Sequence, residues 1–156
     1  MPPPPSSDPQ RSRLPVGQLL VRLLGEFRRE LLEEAEAYGY GDIRLAHLQI
    51  TGNIGTKGIR LTDLAARAQL SLAATSELVN ELQELGYLER RPDPADARAK
   101  LIFPTARGLQ LLREASDKVR ELERLWGAYV GEERFEAALQ TLQDVVDAIR
   151  RAQPTT

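Results

Sequence analysis

Apolar side chains fall into helical spacing near both ends of the chain and into shorter, more varied patterns between them. From Leu14 to Ala37, Val16, Leu19, Leu20, Leu23, Leu24, Phe27, Leu31 and Leu32 recur at three- and four-residue steps. That spacing predicts an amphipathic helix with a broad apolar face. Tyr38-Gly-Tyr-Gly41 ends it, because glycine tolerates the left-handed turn that follows helices. Thr105 opens a second long helix through about Val130, with Leu109, Leu112, Ala115, Val119, Leu122, Leu125, Trp126 and Tyr129 close to heptad spacing. After Gly131, Phe135, Ala138, Leu139, Leu142, Val145, Val146 and Ile149 predict a last helix. Residues 1–13 are rich in Pro and Ser with little to bury, so a disordered tail is expected there.

The middle of the chain reads differently. Asp42 is placed to cap a helix carrying Ile43, Leu45, Ala46, Leu48, Gln49 and Ile50. The loop Gly52-Asn-Ile-Gly-Thr-Lys-Gly58 has glycines and a lysine but not the order a phosphate-binding loop needs, and no apolar strand precedes it. A plain connection is expected. Thr62 is placed to cap a short helix that buries Leu64, Ala65 and Ala68, and small alanines let a second helix approach closely. Ser71 is placed to cap that second helix. Its inward stripe is Leu72, Thr75, Leu78, Val79, Leu82 and Leu85, which leaves Ala73, Ala74, Ser76, Glu77, Asn80 and Glu81 outside. Gly86 stops it. Tyr87–Arg91 and Lys100–Phe103 are short β-prone runs joined by a proline-containing turn, and they predict a hairpin. A helix braced on another helix and followed by a basic ribbon can offer one helix to the DNA major groove.

Composition narrows the classes. With 42% hydrophobic and 28% charged residues, a folded domain of mainly α class with a small β-hairpin wing is expected. There is no Cys, which excludes disulfides, thiolate metal sites and a cysteine redox switch. No apolar run approaches the roughly 20 residues that span a bilayer, and the start lacks an apolar leader, so a cytoplasmic protein without membrane partners is expected. The single His and the scattered carboxylates form no constellation of nucleophile, base or metal ligands, so no enzyme and no cofactor are expected. The net charge of −2 weighs mildly against nucleic-acid binding, although the placement of positive charge matters more than its sum.

The run Leu85-Gly-Tyr-Leu-Glu-Arg-Arg-Pro-Asp-Pro-Ala-Asp-Ala-Arg-Ala-Lys-Leu101, with Thr105-Ala-Arg-Gly108 after it, resembles the MarR-type winged helix-turn-helix transcriptional regulators. The resemblance covers about Leu14 to Arg150. It implies one regulator domain over 14–156, with a winged helix-turn-helix at 42–104 and dimerisation helices at 14–37 and 105–152. It also implies a homodimer that addresses double-stranded DNA at a palindromic operator, with half-sites about 34 Å apart, more often as a repressor than as an activator. The arginine matching Arg98 would enter the minor groove, with Asp96 holding the wing in position and Lys100, Arg90 and Arg91 on phosphates. The alternative for Asp96 and Arg98 is a solvated turn.

The recognition helix departs from the family habit of an exposed Lys or Arg. It offers Ser71, Ala73, Ala74, Ser76 and Asn80 for groove contacts, beside Glu77 and Glu81, which repel phosphate. Family members often bind a small aromatic effector between dimerisation helices and DNA-binding lobe. Tyr38, Tyr40, Arg44 and His47, with Trp126, are the candidates by chain order, and ordinary packing at a helix junction is the competing reading. Without Cys the peroxide-sensing branch is excluded, and one His makes a zinc-sensing site poorly supported. The rival function is a winged-helix protein that no longer binds DNA and acts as a protein-interaction module.

Overall fold

Nine elements in the computed structural model, which describes residues 13–152, follow the order anticipated for the helices. They are α1 (Val16–Ala37), α2 (His47–Thr51), β1 (Ile59–Arg60), α3 (Leu61–Ala68), α4 (Leu72–Glu84), β2 (Leu88–Asp93), β3 (Asp96–Pro104), α5 (Ala106–Val130) and α6 (Glu132–Ala152). The tail expected over 1–13 lies outside the described residues except for Arg13. Among the described residues no helix is long and apolar enough to cross a membrane.

The sheet has three antiparallel strands in the order β1-β3-β2, not the two of a simple hairpin. Ile59 and Arg60 pair with Ile102 and Leu101, and Arg90 and Arg91 face the same two residues from the other side. The extra strand is only two residues long, too short for alternation to announce it. The hairpin turns through Pro94 and Ala95, with an irregularity between Pro92 and Asp93 that re-aims the tip.

Three capping expectations meet different outcomes. Asp42 does not cap a helix, because residues 42–46 form turns and α2 starts only at His47, after Ala46. The Asp42 carboxylate is occupied elsewhere, by Tyr87 and Arg107. Thr62 lies inside the first turn of α3, whose cap position is Arg60 with no side-chain hydrogen bond. Ser71 does cap α4, its hydroxyl accepting from the Ala74 amide at 3.1 Å. Ser71→Ala is expected to lower stability by ~0.5–2 kcal/mol, read from the urea unfolding midpoint.

The chain divides into two compact units, one through Leu112 and one from Arg113. The first has a core of Ala35, Tyr40, Ile43, Ile50, Ile54, Ile59, Leu64, Val79, Leu82, Tyr87, Leu88, Ile102 and Leu111. The first two turns of α5 therefore belong to the winged-helix core, because Leu111 and Leu112 pack there. In the second unit α6 has no buried residue and exposes Leu142, Val145, Val146 and Ile149. In α1 only Ala35 is buried, while Val16, Leu20, Val21, Leu23 and Leu24 are exposed. Such apolar faces on soluble helices mark surfaces that bury against something else.

Candidate nucleic-acid interface

The turn between α3 and α4 is set by Gln69, which takes the left-handed conformation (φ 55°). The Leu70 amide then reaches back to the Ala65 carbonyl at 3.0 Å, the hydrogen bond that closes a helix end and releases the chain at a sharp angle. Helix α4 is held inward by Thr75, Val79 and Leu82, all fully buried. The Thr75 hydroxyl donates to the Ser71 carbonyl at 2.9 Å, so its polar atom is satisfied within the helix. Ala73 and Asn80 are exposed, whereas Ala74 and Ser76 are half-buried. Leu72, expected in the inward stripe, is instead 50% exposed. It is the first residue of α4, three positions ahead of the first buried residue, Thr75.

Glu81 is not the outward carboxylate that its position suggests. Its Oε2 receives Nε2 of His47 at 2.9 Å and the guanidinium of Arg44. His47 is 1% exposed, and its Nδ1 accepts from the Arg44 amide at 3.1 Å. A backbone amide can only donate, so the proton of the neutral ring lies on Nε2, aimed at Glu81. The hydrogen bond from His47, followed by that from Arg44, holds the Glu81 carboxyl below its ordinary value. This tie joins residues 34 and 37 positions apart, so no local pattern in the sequence displays it.

The wing carries the positive side chains at successive levels. Arg90 donates to the Gln83 side chain at 2.6 Å, and Arg91 pairs with Glu89 while lying 4.8 Å over the Phe103 ring. Both cations are thus braced by neighbours. Asp96 Oδ1 accepts the Arg98 amide at 3.1 Å, which is an Asx turn that shapes the tip. The Arg98 guanidinium and the Lys100 ammonium are exposed and have no partner among the described residues.

Two residues at the wing were not anticipated. Asp93 is 8% exposed and accepts the Ala95 amide at 2.9 Å and the Arg60 guanidinium at 3.0 and 2.6 Å. The Ala95 amide first, then Arg60, holds its carboxyl below the ordinary value. A carboxylate with a depressed value stabilises the fold above its unfolded value, and that contribution is lost as pH falls through the lower folded one. Asp93→Asn should therefore lower the neutral plateau of a stability–pH curve and flatten its acid limb, with little difference from wild type at the acid end, as read by urea unfolding across pH.

Behind the wing, Thr105-Ala-Arg-Gly108 joins α5 to the end of α4. The Thr105 hydroxyl accepts the Gly108 amide at 3.1 Å and donates to the Gly86 carbonyl at 2.6 Å. Arg107 stacks 4.3 Å over the Tyr87 ring and donates to Tyr87 Oη at 2.8 Å, Asp42 Oδ2 at 3.0 Å and the Leu85 carbonyl at 3.2 Å. Tyr87 Oη in turn donates to Asp42. Burial, then Asp42, pushes the Tyr87 phenol up to about 12. A raised value means that this stabilisation is complete below the unfolded value and fades as pH rises toward the folded one. In an ultraviolet titration, one of the four tyrosines should resist ionisation until about pH 12.

Of the expected effector residues, Tyr40 and His47 are buried and Tyr38 is 58% exposed. Arg44 is exposed, and Trp126 belongs to the second unit. Tyr40 meets Tyr87 edge-on, with ring centroids 6.1 Å apart. Among the described residues no group of three or more His, Asp or Glu side chains is arranged to hold a metal ion.

Residues 42–99 match the sequence model of the MarR family. Over that stretch, the helix-turn-helix and the first part of the wing, the chain is similar to the MarR family. Solved structures agree on the fold. Wild-type MarR from E. coli, in its apo form, has a TM-score of 0.67 at 21% identity, covering 85% of this chain and 98% of that one. A MarR transcriptional regulator from Methanosarcina mazei Go1 reaches a TM-score of 0.74 at 16% identity, covering 88% and 98%. A MepR mutant from S. aureus, bound to an oligodeoxyribonucleotide, has a TM-score of 0.55 at 20% identity, covering 88% and 99%. A search of curated proteins gave no significant match. The MarR-family signature thus coincides with the helix-turn-helix and the first part of the wing, where the hydrogen-bonded geometry above is concentrated.

Proposed function

We propose that this chain is a homodimeric, sequence-specific DNA-binding transcriptional regulator of the MarR type that represses from a palindromic operator. The observation that carries this reading is the exposed guanidinium of Arg98 at the wing tip, which has no partner among the described residues, on the same compact unit as the outward face of α4. Arginine fits a narrow, strongly negative minor groove because its flat cation is weakly hydrated. Ala73, Ala74, Ser76 and Asn80 are the candidate groove contacts, with Ser71 contributing through the capped helix start and Lys100, Arg90 and Arg91 through phosphates. The exposed apolar residues of α1 and α6 supply the surface on which two copies would pair. A fluorescence anisotropy titration with duplex from upstream of its own gene tests the proposal. Steep loss of affinity with salt and protection of a palindrome support it; equal affinity for a shuffled duplex overturns it.

Release by a small aromatic effector belongs to the same proposal. Arg44 is the exposed cation of the His47–Glu81 tie, and an aromatic carboxylate would compete with Glu81 for it. Added benzoate is expected to weaken the DNA complex, and the Arg44→Ala protein to lose that response.

One observation favours the rival reading as a protein-interaction module: α4 has no Lys or Arg and exposes Glu77 and Glu84. The same titration decides between them, since a module of that kind would show no salt-dependent affinity for any duplex.

A further inference from the structure

We infer that Arg60 is a positioning residue for the wing's contact with DNA, because it pairs with Asp93 and stands near Asp96, the two carboxylates that flank the turn from which Arg98 projects. This rests on the DNA-binding reading above. Arg60 is the last residue of the short strand β1 and stands opposite Leu101 on β3, one residue from Lys100. Its guanidinium grips Asp93 Oδ2 through Nε at 3.0 Å and Nη2 at 2.6 Å, and the same Nη2 lies 4.0 Å from Asp96 Oδ2. Asp96 divides its oxygens, with Oδ1 on the Arg98 amide and Oδ2 toward Arg60. Asp93 similarly divides its own between the Ala95 amide and Arg60.

The consequence is electrostatic as well as mechanical. Both aspartates lie on the element meant to approach a polyanion, and each would repel phosphate if left alone. A single cation placed behind them offsets the charge of Asp93 and part of the field of Asp96, which tilts the balance at the tip toward Arg98 and Lys100. The planar fork of arginine also fixes the direction of Asp93, and through it the start of the turn. Asp93 and Arg60 are separated by 33 positions in sequence, so only the third strand brings them together.

The test uses the full-length protein and the palindromic duplex recovered by footprinting, with anisotropy read over a range of salt. Arg60→Gln is expected to weaken binding about tenfold, and Arg60→Gln combined with Asp93→Asn to recover part of that loss by removing the exposed negative charge. A merely structural Arg60 gives a double variant no better than the single one, which overturns the electrostatic role. Arg60→Lys keeps the charge without the fork and is expected to fall between wild type and Arg60→Gln. If Arg60→Gln fails to melt cooperatively, Arg60→Met, which removes the charge and keeps the apolar stem, carries the test in its place, and wild-type affinity in that protein overturns the inference. Should Arg60→Gln bind as wild type while Arg98→Ala does not, the inference fails and the DNA reading survives. If the wild type itself ignores the duplex, the DNA reading fails first.

Discussion

Replacing Arg98 by alanine is expected to weaken operator binding by ~1–3 kcal/mol, roughly 5- to 150-fold in Kd. The guanidinium is exposed and unpartnered among the described residues, so its removal breaks no internal bond and should leave the melting temperature unchanged. The backbone shape of the tip survives too, because Asp96 holds the Arg98 amide and not its side chain. Anisotropy and thermal melting on the same preparation separate the two effects. A large fall in affinity with an unchanged fold supports groove insertion. Unchanged affinity would mean that the tip stands away from the duplex and that α4 carries recognition unaided.

The second large effect is on stability. Gly108 lies in the first turn of α5, and a Cβ there would stand 2.1 Å from the Tyr87 carbonyl oxygen and 3.1 Å from its carbon. That carbonyl already accepts the Thr105 amide at 2.9 Å, so it cannot swing aside without losing a hydrogen bond. Gly108→Ala should therefore destabilise by ~1–3 kcal/mol or more, as overpacking does in close-packed interiors. With a shift of roughly 2–4 °C per kcal/mol for a chain of this size, calorimetry will register it readily. A melting temperature within about one degree of wild type would show that α5 relaxes away from the wing at no loss.

These two effects sit at different distances from what the residue pattern discloses. Long helices were legible because α1, α5 and α6 repeat apolar residues at the helical period over more than five turns each. The cap at Ser71 was legible from chemistry alone, since a hydroxyl before an apolar run has one common use. Asp42 offered the same cue and went elsewhere, because a carboxylate has more than one suitor and Arg107 and Tyr87 arrive from distant positions. Leu72 keeps phase with Thr75 and Val79 yet stays half in solvent, since phase gives a direction but not how far the core extends. Strand β1 has two residues and no period to detect, and with it the Arg60–Asp93 pair was hidden. Arg98 and Asp96 were legible only through family resemblance, as nothing in their local spacing separates a groove contact from a solvated turn.

Glu81 was counted by sequence among the charges that would push DNA away, and its capture by His47 and Arg44 changes what selection can act upon there. Natural variants at this position ought to disturb how the short α2 is moored to its neighbour, and so reveal themselves as poorly accumulating protein. A shift in which promoters are bound is the outcome least expected from them. On the proposed DNA-binding reading, new target preference would instead arise through Ala73, Ser76, Glu77 and Asn80, for which no hydrogen bond to α2 is found among the described residues.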